Sequence, residues 1–117
     1  MIIVICGPTG VGKTKLSIEL AKHYNGIVIN SDSTQVYKGM NIATAKIKEE
    51  EKEGIKHYLL DICDIDENYT IYNYQKDARK IIDENKDKTI IMVGGSGLYQ
   101  KAVLYDYKLD EEETTKN

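Results

Sequence analysis

Residues 1–24 combine three features that few folds can accommodate together. An uninterrupted apolar run from Ile2 to Cys6 leads into a glycine-rich stretch, and a segment with helical apolar spacing follows from Lys13 to Tyr24. The apolar run predicts a strand buried on both faces. The segment after the glycines predicts a helix with Leu16, Leu20, Ala21 and Tyr24 on one apolar face. The order strand, glycine loop, helix is typical of a loop that binds phosphate groups.

The glycine-rich stretch itself reads Gly7-Pro8-Thr9-Gly10-Val11-Gly12-Lys13-Thr14, which satisfies G-x-x-x-x-G-K-[ST]. Its glycines let the backbone turn successive N–H groups inward, and the positive end of the following helix adds to the attraction for an anion. Lys13 supplies a mobile charge, and Thr14 supplies a hydroxyl that Mg²⁺ can use together with phosphate oxygens. We therefore predict that all eight residues bind a diphosphate or a nucleotide such as ATP, and that Thr14 is a metal ligand. The loop alone does not specify the reaction.

The rest of the chain alternates strands with helices. Further apolar strands are predicted at 27–30, 58–62 and 89–93, and Thr70 stands as the N-cap of a helix with Ile71, Tyr74, Ala78, Ile81 and Ile82 at helical spacing. This alternation predicts an α/β fold with a parallel sheet flanked by helices, in a three-layer arrangement like that of P-loop NTPases. The charged stretch 46–53 is interpreted as a solvated surface without chemistry.

Composition narrows the possible functions. Sixteen basic residues face 19 acidic ones, for a net charge of −3, which argues against indiscriminate nucleic-acid binding but allows recognition at one local site. No run approaches the ~20 apolar residues of a membrane span. Two cysteines are too few for a disulfide framework, so a reducing cytoplasm fits. We expect a cytoplasmic monomer.

Asp32 follows the second predicted strand. Because parallel strands end at one edge of a sheet, Asp32 is expected beside the phosphate loop. Its carboxylate there can bind Mg²⁺ through water or accept a proton from an incoming nucleophile. The alternative is an ordinary Asp-Ser turn or helix cap.

The segment around Asp32 is part of a longer pattern. Residues 30–46 resemble S-x-D-S-x-Q-V-Y-x-G-x-x-I-G-T-A-K of tRNA dimethylallyltransferases, although Ala43 stands in place of a glycine. His57-Tyr58-Leu59-Leu60-Asp61 resembles the family's H-H-L-[IL]-D, with Tyr58 in place of the second histidine. Tyr69 to Tyr74 resembles Y-[ST]-[VI]-x-x-[FY], and Gly94 to Tyr99 resembles G-G-T-G-L-Y with Ser96 in place of threonine. The resemblance spans roughly residues 2 to 104.

The resemblance implies a prenyl transferase that moves a dimethylallyl group from dimethylallyl diphosphate to N6 of the adenosine beside the tRNA anticodon. It implies that Asp32 is the general base, and that Lys13, Thr14 and Mg²⁺ stabilise the diphosphate leaving group. It also implies that tRNA is contacted by Asp32, Ser33, Thr34, Gln35 and Ser96, around a base taken out of its stack.

On this interpretation residues 1–104 are a P-loop prenyl-transferase core, and residues 105–117 are an acidic C-terminal tail. Members of the resembled family are much longer and continue with a helical insertion that grips the anticodon stem. The expectation is therefore a truncated core with weak or no activity by itself. Three alternatives stay open: an adenylate isopentenyltransferase, a P-loop small-molecule kinase, and a non-catalytic nucleotide-binding module. The kinase is disfavoured because Arg79 is the only arginine and such kinases clamp the phosphoryl group with several.

Overall fold

The computed structural model describes residues 1–6, 11–38, 47–95 and 97–104. Within them, four strands alternate with three helices. The strands are β1 (Ile2–Cys6), β2 (Gly26–Asn30), β3 (His57–Tyr58) and β4 (Thr89–Gly94). The helices are α1 (Val11–Tyr24), α2 (Ile71–Glu84) and α3 (Gly97–Leu104), and a short 3₁₀ turn covers Glu49–Lys52. No helix in these described ranges is long and apolar enough to cross a membrane.

The four strands form one parallel sheet in the order β1-β4-β2-β3. The predicted α/β fold with a parallel sheet is confirmed. Chain order and sheet order differ, because β4 enters between β1 and β2. It pairs with both over almost its whole length, from Ile2↔Ile90 to Cys6↔Gly94 on one side and from Gly26↔Thr89 to Asn30↔Val93 on the other.

Two apolar layers cover the sheet. On one face, α1 packs through Ala21 against Ile5, Val28 and Ile91. The other face carries α2 and α3, whose buried side chains meet those of β2 and β4; this larger core comprises Ile27, Ile29, Val36, Leu59, Cys63, Tyr74, Ala78, Ile90, Met92, Tyr99 and Val103. Helices therefore lie on both faces, as the three-layer prediction required.

The prediction that β1 is buried on both faces is wrong. Ile2 and Val4 are 42% and 37% exposed, while Ile5 is buried. The reason is sheet order: β1 lies at an edge of the described sheet, where α1 covers only one of its two faces. An apolar run shows that a strand belongs in a core, but it does not show which strands and helices surround it.

The predicted buried face of α1 is also partly wrong. Leu16 and Tyr24 are exposed, whereas Ser17, Ile18 and Ala21 are buried. This helix carries apolar residues on more than one side, so the sequence pattern does not single out a face. The side chain that packs is selected by the position of α1 over β2 and β4.

The α2 helix confirms its prediction, including its first residue. Thr70 Oγ1 accepts a hydrogen bond from the Asn73 N–H at 3.1 Å, and Asn73 Oδ1 accepts one from the Thr70 N–H at 3.0 Å. This reciprocal pair satisfies backbone donors at the start of the helix. By contrast, β3 is two residues long instead of the predicted five, because the chain adopts a left-handed conformation at Leu59 and Asp61 and turns away from the sheet.

Candidate active site

The candidate site lies at the carboxyl edge of the sheet, where β1, β4 and β2 end side by side. Cys6 pairs in register with Gly94, and Asn30 pairs with Val93. Each of these three strands is followed by a sequence motif singled out above. In open α/β sheets this edge is where ligands bind.

The described part of the phosphate loop is the first turn of α1. The helix begins at Val11, so Lys13 and Thr14 lie at its positive end, and the first turn contains no acidic residue. Both side chains are half-buried. Ser17 Oγ donates to the Thr14 backbone carbonyl at 2.7 Å, which ties the second turn of the helix to the first. Such a helix start attracts anions through its N–H groups and dipole. The loop residues Gly7, Pro8, Thr9 and Gly10 lie outside the described residues.

Gly12 has a helical place in α1 and does not need the left-handed conformation for which glycine is chosen. A Cβ built there meets nothing within 4 Å among the described atoms. Packing among the described residues therefore does not require a glycine at this position, and the close approach of a ligand to the backbone is the reason that the motif predicts.

Asp32 lies two residues after β2 and is half-buried. Its Oδ1 accepts hydrogen bonds from the Thr34 N–H at 3.0 Å and from Thr34 Oγ1 at 2.7 Å. The Asp32 carbonyl accepts from the Gln35 N–H at 3.1 Å. This is the geometry of a side-chain-capped turn, so the turn alternative describes the local backbone correctly. It does not exclude chemistry, because a carboxylate with about four acceptor positions can hold a turn and still accept a proton.

The strand that leads to Asp32 and the strand that leads to the phosphate loop end at the same edge of the sheet, with β4 between them. The axes of β1 and β2 are thus two strand spacings apart, roughly 10 Å, and the position of Asp32 beside the loop stays a prediction because residues 7–10 lie outside the described residues. Between the ends of β1 and β2 lies the end of β4, at Gly94, followed by Gly95. This width leaves room for a ligand that touches both ends at once.

The other predicted tRNA contacts follow Asp32 in the same turn. Ser33 is half-buried and Thr34 is exposed, while Gln35 is buried at 8% exposure. The Gln35 carbonyl accepts from the Asp61 N–H at 3.1 Å, which links this turn to the segment after β3. Ser96 lies outside the described residues. The structure thus brings Asp32, Ser33 and Thr34 together at the edge, followed by Gln35, of which 8% stays exposed.

Sequence reasoning missed the closeness of β4 to this turn. A Cβ on Gly94 would lie 2.4 Å from the Ser31 carbonyl carbon and 2.6 Å from the Asp32 nitrogen. The Ser31 N–H also donates to the Val93 carbonyl at 2.8 Å. The double glycine after a strand was the available signal, since glycine in such a place often marks a close backbone approach.

A tyrosine from α3 also reaches the site. Tyr99 stacks on Tyr74 with ring centroids 4.1 Å apart. Burial raises the pKa of Tyr99 to about 12, with smaller contributions from Tyr37, Cys63 and the Asp32 carboxylate. The phenol is therefore neutral at physiological pH and can act only as a hydrogen-bonding group near Asp32.

The residues at this edge suit Mg²⁺ only as a shared ion. The described residues contain no group of three His, Cys, Asp or Glu side chains able to hold a metal by themselves. Thr14 offers one hydroxyl at the helix start. Because Mg²⁺ keeps several waters and binds phosphate oxygens with only one or two protein ligands, one hydroxyl fits an ion that arrives with a diphosphate.

The sole arginine has a structural position. Arg79 is half-buried on α2, and its Nη2 donates to the Ala102 carbonyl of α3 at 3.3 Å. Gln75 donates to the same carbonyl at 2.6 Å. Arg79 therefore caps α3, which weighs against the phosphoryl-clamping arginine of a kinase.

Comparison with known proteins gives a consistent answer. Residues 35–117 match the model of the IPP transferase family. The chain is 58% identical over 101 residues to a tRNA dimethylallyltransferase of Fusobacterium nucleatum, which covers 86% of this chain and 33% of the relative. It is 52% identical to the Oceanobacillus iheyensis tRNA dimethylallyltransferase, over 95% of this chain and 36% of that protein. The chain thus spans about a third of the length of these relatives.

Solved structures agree with the sequence matches. The full-length tRNA isopentenylpyrophosphate transferase of Bacillus halodurans superposes with a TM-score of 0.87 at 43% identity, covering 98% of this chain and 40% of that one. A eukaryotic dimethylallyltransferase acting on tRNA also gives a TM-score of 0.87, at 40% identity, covering 97% of this chain and 28% of that one. With the family model matching well over half of its residues, the chain belongs to the IPP transferase family.

Proposed function

We propose that this chain forms the donor and base end of a tRNA dimethylallyltransferase. The reaction transfers a dimethylallyl group from dimethylallyl diphosphate to N6 of the adenosine adjacent to the tRNA anticodon. Relatives at 58% and 52% identity are tRNA dimethylallyltransferases, and a structural neighbour is described as acting on tRNA. The observation that carries the proposal is the shared sheet edge, with a phosphate-binding helix start at one end and Asp32 at the other.

The donor's diphosphate binds at the start of α1. The backbone N–H groups of the helix start, the Lys13 ammonium and the Thr14 hydroxyl surround its oxygens. Mg²⁺, held between Thr14 and the diphosphate, would neutralise charge on the leaving group. Positive charge develops on the allylic carbon as its C–O bond breaks, so stabilising the departing pyrophosphate is the main task of this end of the site.

The acceptor adenosine binds at the Asp32 end. The N6 nitrogen forms the new C–N bond and loses a proton, which Asp32 accepts. Thr34 orients the carboxylate through its two hydrogen bonds to Oδ1, at 3.0 and 2.7 Å. The diphosphate then lies at the end of β1 and the base at the end of β2, so the reacting carbon lies between them, near the end of β4. Ser33, Thr34, Gln35 and Ser96 are proposed to contact the tRNA around this nucleotide.

The proposal includes a cytoplasmic location, because tRNA is the acceptor. It also includes the monomeric state expected from the sequence. Because the chain spans about a third of its relatives, the test requires a chimera. Residues 1–104 replace the corresponding part of the Fusobacterium nucleatum relative, and dimethylallyl transfer is measured with labelled donor and either tRNA or AMP. We expect transfer to tRNA. Transfer to AMP alone would instead identify an adenylate isopentenyltransferase, and no transfer to either would contradict the proposal.

The role of Asp32 is tested in the same chimera by Asp32→Asn. This substitution keeps the shape of the side chain but cannot accept the proton, and loss of a general base typically lowers turnover about 10²- to 10⁴-fold. Donor affinity should stay the same because it depends on α1. Asp87→Asn, an exposed carboxylate before β4 at the opposite end of the sheet, is the matched control and should change neither constant. Weaker donor binding together with a higher Mg²⁺ requirement would make Asp32 a metal-associated residue instead of the base.

A further inference from the structure

Asn30 is a buried amide at the last position of β2, and all of its polar groups are engaged. Its Nδ2 donates to the Asp32 carbonyl at 3.0 Å and to the Leu59 carbonyl at 2.9 Å. Its Oδ1 accepts from the Asp32 N–H at 3.0 Å. One side chain thus holds both the N–H and the C=O of Asp32, as a neighbouring strand would.

The backbone of Asn30 is also held, by a hydrogen bond from helix α2. Tyr74, fully buried on α2, donates its hydroxyl to the Asn30 carbonyl at 2.7 Å. Burial raises the pKa of this hydroxyl, so it remains a donor at any physiological pH. The hydrogen bond from Tyr74 thus fixes the end of β2 against α2, and the Asn30 side chain in turn fixes the backbone of Asp32.

A second buried amide comes from α3. Gln100 is 4% exposed, and its Nε2 donates to Ser31 Oγ at 2.8 Å and to the Gly94 carbonyl at 3.4 Å. Ser31 is fully buried between Asn30 and Asp32. Gln100 thereby links the turn that carries Asp32 to the end of β4.

Burying two side-chain amides costs desolvation free energy, and a buried polar group is tolerated only when it is hydrogen-bonded. An apolar side chain would fill the same volume without that cost. What the amides add is direction: Asn30 holds the N–H and C=O of Asp32, and Gln100 ties the Ser31 hydroxyl to the Gly94 carbonyl. The direction of the Asp32 carboxylate follows from that backbone.

We propose that Asn30 and Gln100 are positioning residues that hold the Asp32 carboxylate in its reactive orientation. This inference rests on the proposed function of Asp32 as the base. Reactions that depend on alignment are sensitive to displacements of about 1 Å, which can reduce the rate about 10²-fold. The amides act on Asp32 through the backbone, and neither has a place in binding the diphosphate.

The chain offers a matched control. Gln75 is also a buried glutamine, and its Nε2 donates to a backbone carbonyl, that of Ala102, at 2.6 Å. This contact joins α2 to α3 and involves no residue of the turn that carries Asp32. Gln100→Met and Gln75→Met remove the same amide from the same kind of environment, so a general loss of stability should appear in both variants.

The test has two readouts. In the 117-residue chain, nitrogen-15 NMR reports the Thr34 amide, whose hydrogen bond to Asp32 Oδ1 depends on the direction of the carboxylate. In the chimera, kcat and the donor KM are measured. We expect Gln100→Met to shift the Thr34 resonance and to lower kcat roughly 10- to 100-fold with the donor KM unchanged. Gln75→Met should leave the Thr34 resonance and kcat as in the parent.

Asn30→Ser keeps a small hydrogen-bonding side chain and gives a second variant if Gln100→Met does not fold. It should shift the Thr34 resonance and lower kcat in the same manner. An unmoved Thr34 resonance in both variants, or equal loss of kcat in Gln100→Met and Gln75→Met, would overturn the proposal. A chimera inactive even with every native residue would refute the proposed function instead, and the NMR comparison would still decide whether these amides position Asp32.

Discussion

Gly94 gives the sharpest test of how the site is built, because the methyl group of an alanine there would clash only with backbone atoms. The added Cβ would lie 2.4 Å from the Ser31 carbonyl carbon, 2.6 Å from the Asp32 nitrogen and 2.7 Å from the Ser31 oxygen. The closest of these is about 1 Å shorter than an ordinary van der Waals contact, and no side chain can rotate to relieve it. The end of β4 must therefore move away from the turn that carries Asp32.

The expected cost follows from that movement. Overpacking of this kind costs about 1–3 kcal/mol. Separation of the two segments also strains the hydrogen bond from the Ser31 N–H to the Val93 carbonyl, now 2.8 Å, and a lost hydrogen bond adds about 1 kcal/mol. We expect Gly94→Ala to lower the free energy of unfolding by about 2–4 kcal/mol. For a urea m-value of about 1.5 kcal/mol/M, the unfolding midpoint falls by roughly 1–3 M.

Urea unfolding followed by circular dichroism measures this change. Gly97→Ala is the control, since Gly97 begins α3 three residues further on and a Cβ there meets nothing within 4 Å among the described atoms. That variant should stay within about 0.5 kcal/mol of the parent. If Gly94→Ala unfolds at the same urea concentration as Gly97→Ala, the close approach of β4 to the Asp32 turn is refuted.

Three further outcomes are expected. Burial lowers the pKa of His57 in the folded protein below its ordinary value of about 6.5. The contribution of neutral His57 to the free energy of unfolding is therefore fully present above about pH 6.5 and is lost as the pH falls below that value. Urea midpoints measured above and below about pH 6.5 should show this decrease, and His57→Gln should remove it. Tyr74→Phe leaves the buried Asn30 carbonyl without its 2.7 Å donor and should lower the free energy of unfolding by about 1–3 kcal/mol in the same assay, with no loss expected if that bond is absent. Burial raises the pKa of the Cys63 thiol, whereas Cys6 is exposed, so mass spectrometry after iodoacetamide treatment should find Cys6 alone modified in the native protein and both modified in urea.

Local signals were sufficient where a neighbour along the chain determines the structure. Thr70 and Asn73 cap each other, so the start of α2 could be predicted from residues three positions apart. The glycine-rich loop also predicts a helix after β1, and α1 confirms it, although the helix begins at Val11 and not at the predicted Lys13. Its binding of phosphate stays a prediction.

Long-range packing decided the features that were predicted wrongly. The insertion of β4 between β1 and β2 leaves β1 at the edge of the described sheet and Val4 exposed, and no local pattern encodes it. The amide contacts of the site join residues as far apart as Ser31 and Gln100, 69 positions along the chain. A glutamine in an apolar helix segment looks like a surface residue until the partner that satisfies it is known.

The edge position of β1 also bears on how the protein behaves in concentrated solution. Within the described residues this strand pairs with β4 alone, and Ile2–Cys6 contains neither a charge nor a proline to discourage a further strand. Its outer backbone groups and the exposed Ile2 and Val4 side chains form a template to which an extended segment of another molecule can add. Such addition is bimolecular, so it grows with concentration and competes directly with the expected monomeric state. We therefore expect Ile2–Cys6 to promote self-association as the protein is concentrated.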